Sequence, residues 1–234
     1  FFGNYSEGTN IPKKYFNYLS WAKTIKKSGL RQIILKKNFN EIESLKSLRR
    51  GLFVNKNIKK GKIFEPGSGG GMASVKFAKE GFDVICMDLS ENALQKTKSL
   101  FKHMDLEAKF TLGDLFHTPI KNEQFNIVFN QGVMEHFRLA NLDPSDGVKE
   151  MLRVLQPNGT LVILVPAYFS PLFFVYQFFK KFNLIEKYWP YTDQDFLHKR
   201  ELFEMMEKAG CKNIVVRRLW SSFFFSMIGY CKKG

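Results

Sequence analysis

From Lys62 onward, apolar runs of four to six residues alternate with segments whose apolar positions recur every third or fourth residue. The first pattern fits strands buried on both faces, and the second fits amphipathic helices. In order the segments are KIFE, GMASVKFAKEG, DVICMD, SENALQKTKSLFKH, AKFTLGD, FNIVFN, GVKEMLRVLQ and TLVILV. Such alternation predicts parallel strands in a layered α/β sheet, whose right-handed crossovers bring the strands' carboxyl ends to one edge. Ligands of such sheets bind along that edge. Further on, KRELFEMMEKAG reads as a helix stopped by Gly210, and NIVVRRLW and SFFFSMIGYC read as two closing strands.

Upstream of Lys62 the pattern is helical. NEIESLKSLRR, Asn40 to Arg50, carries Ile42, Leu45, Leu48 and then Leu52 at helical spacing. Asn40 and Glu43 stand three apart, as a reciprocal cap requires. Residues 13 to 37 predict one or two further basic helices, interrupted at Gly29. The expected organisation is therefore a helical arm over residues 1–60, packed against or over a body at 61–234 with an aromatic insertion at 166–198.

That insertion begins inside a run of 23 residues without a charge, Pro157 to Phe179. Its length could span a bilayer, but Pro157-Asn158-Gly159 forms a turn and Pro166 and Pro171 interrupt any single helix. The run predicts a strand, a turn, and then an aromatic helix from Pro171 to about Lys181. Ser170 is placed to cap that helix, and Pro171 suits its first position, where no amide hydrogen is needed.

Charge changes the picture of the arm. Residues 1–60 hold 14 Lys and Arg against Glu7, Glu41 and Glu43, a balance of +11, whereas the whole chain carries +14. Such a segment can dock on nucleic acid or anionic lipid, steer an anionic substrate, or face solvent. Cys86, Cys211 and Cys231 are too scattered for a disulfide framework or a C-x-x-C site, which points to a reducing, cytoplasmic setting. No group of His, Cys and acidic residues suggests a metal.

The candidate chemistry starts at EPGSGGG, Glu65 to Gly71. Glycines at a tight strand-to-helix turn allow close approach to a ligand, next to the N–H groups that open the helix. Met72 and Ser74 stand where a dinucleotide G-x-G-x-x-G would need its last glycine, and no Lys-Ser or Lys-Thr follows for a phosphate loop. Glu65 disfavours a simple phosphate cradle and suits a ligand with a positive ammonium end. Asp88, closing the second strand, can accept both hydroxyls of a ribose. Asp114, closing the third, is placed for an exocyclic amino group.

With these segments in order, the chain resembles the class I S-adenosylmethionine-dependent methyltransferases, in particular the small-molecule branch that includes quinone-pathway C-methyltransferases. The resemblance covers roughly residues 60–165 and, more loosely, 199–231. It implies a Rossmann-like, seven-stranded mixed α/β sheet, with S-adenosyl-L-methionine as cofactor. Glu65, Gly67, Ser68, Gly69 and Gly71 would lie against its methionine and ribose part. Asp88 would hold the ribose hydroxyls, with Leu89 beside the adenine, and Asp114 and Leu115 would contact the adenine end. FNIVFNQGVMEHF resembles the fourth-strand motif, placing Asn130 and Gln131 near the cofactor and Glu135-His136 on the substrate side. VKEMLRVLQPNGTLVILV resembles the following helix, turn and fifth strand. Asn158 stands where the family has glycine, and asparagine tolerates the same turn.

The implied reaction is methyl transfer to a small, apolar or aromatic acceptor, with Tyr168 to Phe179 facing it. Where the acceptor must lose a proton, His136 is the candidate base; His117, Tyr168 and Tyr191 are weaker ones. The alternative is an RNA or protein methyltransferase docked through the basic arm. No Asn/Asp-Pro-Pro-Tyr/Phe motif follows the fourth strand, where the chain has NQGV instead. A non-catalytic binding protein that keeps the fold is a third reading. Peripheral contact with an anionic membrane is compatible with both the arm and the aromatic run.

Overall fold

A computed structural model of the chain describes residues 61–185, 195–219 and 226–234. The predicted basic arm, its helix Asn40 to Arg50, Tyr191 and the start of the last predicted strand lie outside the described residues.

The strands are β1 (Lys62–Pro66), β2 (Asp83–Asp88), β3 (Lys109–Leu112), β4 (Phe125–Gln131), β5 (Leu155–Pro166), β6 (Lys212–Arg218) and β7 (Ser226–Lys232). The helices are α1 (Met72–Lys79), α2 (Glu91–His103), α3 (Met134–Leu139), α4 (Pro144–Val154), α5 (Pro171–Lys181) and α6 (Lys199–Lys208). All seven strands form one sheet in the order β3-β2-β1-β4-β5-β7-β6. The first five run parallel, and β7 inserts antiparallel between β5 and β6. The mixed seven-stranded sheet expected from the resemblance is the one observed.

Both faces of the sheet are covered. Alternate residues of each strand feed one of two cores. One contains Phe64, Met87, Val128 and Ile163, packed under α3, α4 and α6. The other contains Ile63, Val84, Ile127 and Val162, packed under α1 and α2. Continuous apolar strands such as TLVILV need this double cover.

The chain moves outward from β1 to β3 in one direction and from β4 to β5 in the other, so β1 and β4 are the reversal point. Their ladder pairs only Ile63 with Ile127 and Phe64 with Val128. Beyond that register the strand ends are joined by a side chain: Asn130 Nδ2 donates to the Pro66 carbonyl at 2.7 Å. A crevice at such a reversal is where ligands of doubly wound sheets bind.

Several local expectations are met in detail. Ser90 Oγ accepts from the Ala93 N–H at 3.1 Å, capping α2. Ser170 Oγ accepts from the Phe173 N–H at 3.1 Å, with Pro171 opening α5. Asn158 adopts φ 61°, and the adjoining ladder shifts register across the turn. Two helical features differ from the sequence expectation. α3 is an additional short helix, and α4 begins three residues before Gly147, capped by Asp143, whose Oδ1 accepts from the Ser145 N–H at 3.0 Å. Asp143-Pro144 is itself a helix-start signal.

Candidate cofactor site

The glycine loop lies across the end of β2. The Ser68 N–H donates to the Met87 carbonyl at 3.0 Å, and the Gly69 N–H to Asp88 Oδ2 at 2.8 Å. Gly71 then serves as the N-cap of α1. At Gly67, φ is 70° and a Cβ would stand 2.4 Å from Val133 Cγ2, so both the turn and the close approach require glycine.

Glu65 sits beneath this loop. Its Oε2 accepts from the Ser74 N–H at 3.1 Å and is also hydrogen-bonded to Ser74 Oγ, serving as a cap for α1 from the preceding strand. Burial pushes its pKa up to about 8 against the Ser74 hydrogen bonds, with the charge of Asp88 adding a smaller upward push. The negative charge expected of Glu65 from the sequence is therefore largely neutralised near pH 7, because desolvation favours the protonated acid.

Asp88 is buried with both oxygens engaged: Oδ1 accepts from the Ser90 N–H and Oδ2 from the Gly69 N–H, each at 2.8 Å. Burial raises its pKa to about 6, opposed by the backbone N–H groups of Ser90, Gly69 and Leu89. It is thus ionised at neutral pH. Asp114, at the end of β3, accepts from the Phe116 N–H at 2.9 Å and so starts a short 3-10 turn, Leu115–His117.

A solvent-open cleft lies at these strand ends, lined by Gly67, Met87, Leu89, Gly113, Asp114, Leu115, Val133 and Phe137. Of the candidate cofactor residues, Gly67, Leu89, Asp114 and Leu115 are brought together in this lining. Asp88, Ser68 and Gly69 are not in that lining but adjoin it: the Ser68 N–H donates to the Met87 carbonyl, and the Gly113 N–H donates to the Asp88 carbonyl at 3.1 Å. Asn130 is buried at the end of β4 beside Gln131. The sequence did not single out Met87, Gly113, Val133 and Phe137. Met87 and Gly113 immediately precede the two strand-end aspartates, and Val133 and Phe137 lie in GVMEHF, where their apolar character reads as core.

His136 is buried in the first turn of α3 and does not line the cleft. Glu135 beside it is 2% exposed, and its Oε2 has no partner among the described residues. Burial, with a smaller push from the charge of Asp195, raises its pKa to about 8 against its own backbone N–H. His117 is exposed, 3.9 Å from Asp114 Oδ2. Tyr168 packs against the His198 ring at 4.0 Å between centroids. Phe173 turns inward to Phe196, Phe174 and Phe178 are exposed, and none of the three lines the cleft. Among the described residues, no three His, Cys, Asp or Glu side chains are grouped to hold a metal ion.

The site fits an adenosyl ligand. Leu89, Leu115 and Phe137 offer apolar walls for a flat base, and Asp88 and Asp114 supply acceptors at either end of it. Buried Ser68 Oγ and Asn130 Oδ1, which have no partner among the described residues, add unspent polar capacity beside the crevice.

Comparison with known proteins agrees. The family described as "Methyltransferase domain" matches residues 64–163. The demethylmenaquinone methyltransferase of Lactobacillus johnsonii is 28% identical over 153 residues, 58% of this chain and 61% of that protein. The ubiquinone biosynthesis O-methyltransferase of Coxiella burnetii is 25% identical over 65% of this chain and 64% of that protein. The chain thus spans under two thirds of the length of these curated relatives. Magnesium protoporphyrin IX methyltransferase of Synechocystis, solved with bound S-adenosylhomocysteine, superposes with a TM-score of 0.67 at 15% identity, over 97% of this chain and all of that one. Glycine loop, strand-end aspartates and family match coincide on residues 64–163, the segment that matches the methyltransferase-domain family, within the seven-stranded sheet order that the class I S-adenosylmethionine-dependent methyltransferase resemblance implies.

Proposed function

We propose that this chain transfers a methyl group from S-adenosylmethionine to a small, apolar, ring-containing acceptor of the quinone-precursor type. The observation that carries the reading is the strand-end cleft in which Gly67, Leu89, Asp114 and Leu115 converge, with Met87 and Leu89 of its lining flanking Asp88 in sequence. The acceptor class is supported by relatives named for demethylmenaquinone and ubiquinone biosynthesis, which favour a small molecule over RNA or protein. Such an acceptor resides in a bilayer, so the reading asks the enzyme to work in the cytoplasm at a membrane face.

In this reading Asp88 holds the ribose. Its carboxylate oxygens hold the Gly69 and Ser90 N–H groups and retain lone-pair capacity for a ribose hydroxyl. Gly67 to Gly71 and Glu65 flank the methionine end, Leu89 and Leu115 sandwich the adenine, and Asp114 accepts from its amino group. Asn130 and Gln131 fix the crevice beside the reacting end. The bound sulfonium supplies an electrophilic methyl group for in-line displacement. The protein's contribution is to hold the acceptor at near-attack distance and exclude water, which is worth many orders of magnitude. His136 takes the proton where the acceptor has one to lose.

Titration calorimetry with S-adenosylmethionine and S-adenosylhomocysteine tests the donor half. Both are expected to bind, and Asp88→Ala to weaken each by at least about tenfold, through loss of two charged hydrogen bonds. Absence of binding by either ligand refutes the reading. Mass spectrometry of methyl transfer from labelled donor to a panel of quinols then tests the acceptor.

A further inference from the structure

α5 carries an apolar outer face as well as an apolar inner one. Its inner residues, Phe173 with Leu172, Tyr176 and Phe179, pack around Phe196. Its outer residues Phe174, Val175, Phe178 and Phe182 recur at helical spacing and are 58%, 43%, 54% and 54% exposed. Phe169, 58% exposed, prolongs the stripe from the preceding turn, its ring centroid 6.3 Å from that of Phe174. Isolated exposed apolar residues are ordinary on a protein surface, whereas a continuous aromatic stripe marks a contact site.

Charge and backbone identify the occupant. The stripe ends at exposed Lys180 and Lys181, with Lys181 Nζ 6.0 Å from the Phe182 ring centroid. At the other end the Arg218 guanidinium donates to the Tyr168 carbonyl at 2.7 Å and to that of Phe169 at 3.4 Å. Arg218 thereby fixes Phe169 at φ 53°, a conformation that bulky residues rarely adopt. No Asp or Glu occurs from Pro166 to Ile185. A second copy of this cationic face, or the +11 segment 1–60, would bring like charges together. The complementary partner is anionic at its surface and apolar just beneath. At 11 residues α5 is about 16 Å long. No helix among the described residues is long and apolar enough to cross a membrane. A helix of that length can lie in the plane of an interface but cannot span a bilayer.

We propose that this face of α5 docks on an anionic lipid bilayer, with Phe169, Phe174, Phe178 and Phe182 entering the acyl boundary and Lys180 and Lys181 meeting headgroup phosphates. The docking does not depend on the methyl-transfer reading, because its test reads partition and not turnover. Co-sedimentation of the 234-residue chain is expected with vesicles of equimolar phosphatidylcholine and phosphatidylglycerol, and to be at least about tenfold weaker with phosphatidylcholine alone. Phe174→Ser/Phe178→Ser/Phe182→Ser should lower partition by at least about tenfold at unchanged melting temperature, since the three side chains are exposed. Lys180→Glu/Lys181→Glu should lower it and flatten its salt dependence. As a gain of signal, the indole introduced by Phe178→Trp should shift its emission to the blue on vesicles and be quenched by brominated acyl chains. Four results would overturn the proposal: no partition of the parent chain, parent-level partition of the triple serine variant, an indole signal in the Phe178→Trp variant that brominated chains leave unquenched, or a face that instead binds RNA or closes a dimer broken by Phe178→Ser.

Discussion

The demand for glycine at the first loop position can be separated into its backbone and packing parts. Gly67 and Gly69 both have positive φ, 70° and 53°, but a Cβ on Gly67 would meet Val133 Cγ2 at 2.4 Å and Cγ1 at 3.2 Å, while one on Gly69 meets no atom within 4 Å. Gly69→Ala therefore reports the conformational penalty alone, about 1–2 kcal/mol. Gly67→Ala adds an overpacking term of about 1–3 kcal/mol, for a total of about 2–5 kcal/mol. Val133→Ala removes the two methyl groups that the new Cβ would strike. The double variant Gly67→Ala/Val133→Ala should then be less destabilised than the sum of the singles, with a coupling of about 1–2 kcal/mol. Urea unfolding of the four variants and the parent measures each quantity at constant slope. A cost for Gly67→Ala no greater than that of Gly69→Ala, or an absence of coupling between Gly67 and Val133, would refute this reasoning.

The buried acids give a pH prediction whose sign is fixed by linkage. Glu65 and Glu135 are raised in the folded chain to about 8, so the folded state holds protons that the unfolded state has released. Their contribution is fully present below about pH 4.5 and is lost as pH rises through about 8, at up to about 1.4 kcal/mol per pH unit for each group. Glu135→Gln should remove one group's share of that slope in denaturation curves taken across this window; an unchanged slope would count against a buried, protonated Glu135. Arg153 donates to the Ile120 and Thr118 carbonyls, to Thr118 Oγ1 and Asn122 Oδ1, and to both oxygens of Glu150. Lysine cannot reproduce that planar fork, so Arg153→Lys should cost about 1–3 kcal/mol in urea unfolding. Parent-like stability of that variant would show the network to be solvent-compensated.

Where periodicity and turn chemistry agreed, the sequence was sufficient. DVICMD is β2 residue for residue, and Ser170-Pro171 and Asn158 act as their cap and turn chemistry requires. Gly67, Leu89, Asp114 and Leu115 were reachable because strand ends are predictable once strands are. Met87, Val133 and Phe137 were not, because an apolar residue in a periodic segment looks the same whether it lines a cleft or fills a core. The direction of α5 was hidden for a related reason: PLFFVYQFF is aromatic on every side, so its pattern contains no inside. The protonation of Glu65 was not legible in the sequence, because its burial beneath the loop depends on α1 folding back over β1.

The amide of Asn130, reaching the Pro66 carbonyl past the last β1–β4 ladder pair, behaves as a strut of fixed length. It holds the two strand ends apart by one side chain before any ligand arrives. Binding there carries little reorganisation penalty, so association should be fast and affinity should vary mainly through dissociation. A carboxylate of the same size could not donate that bond. The crevice is in this sense a gauge block: its opening is machined by one asparagine, and a ligand meets it already set.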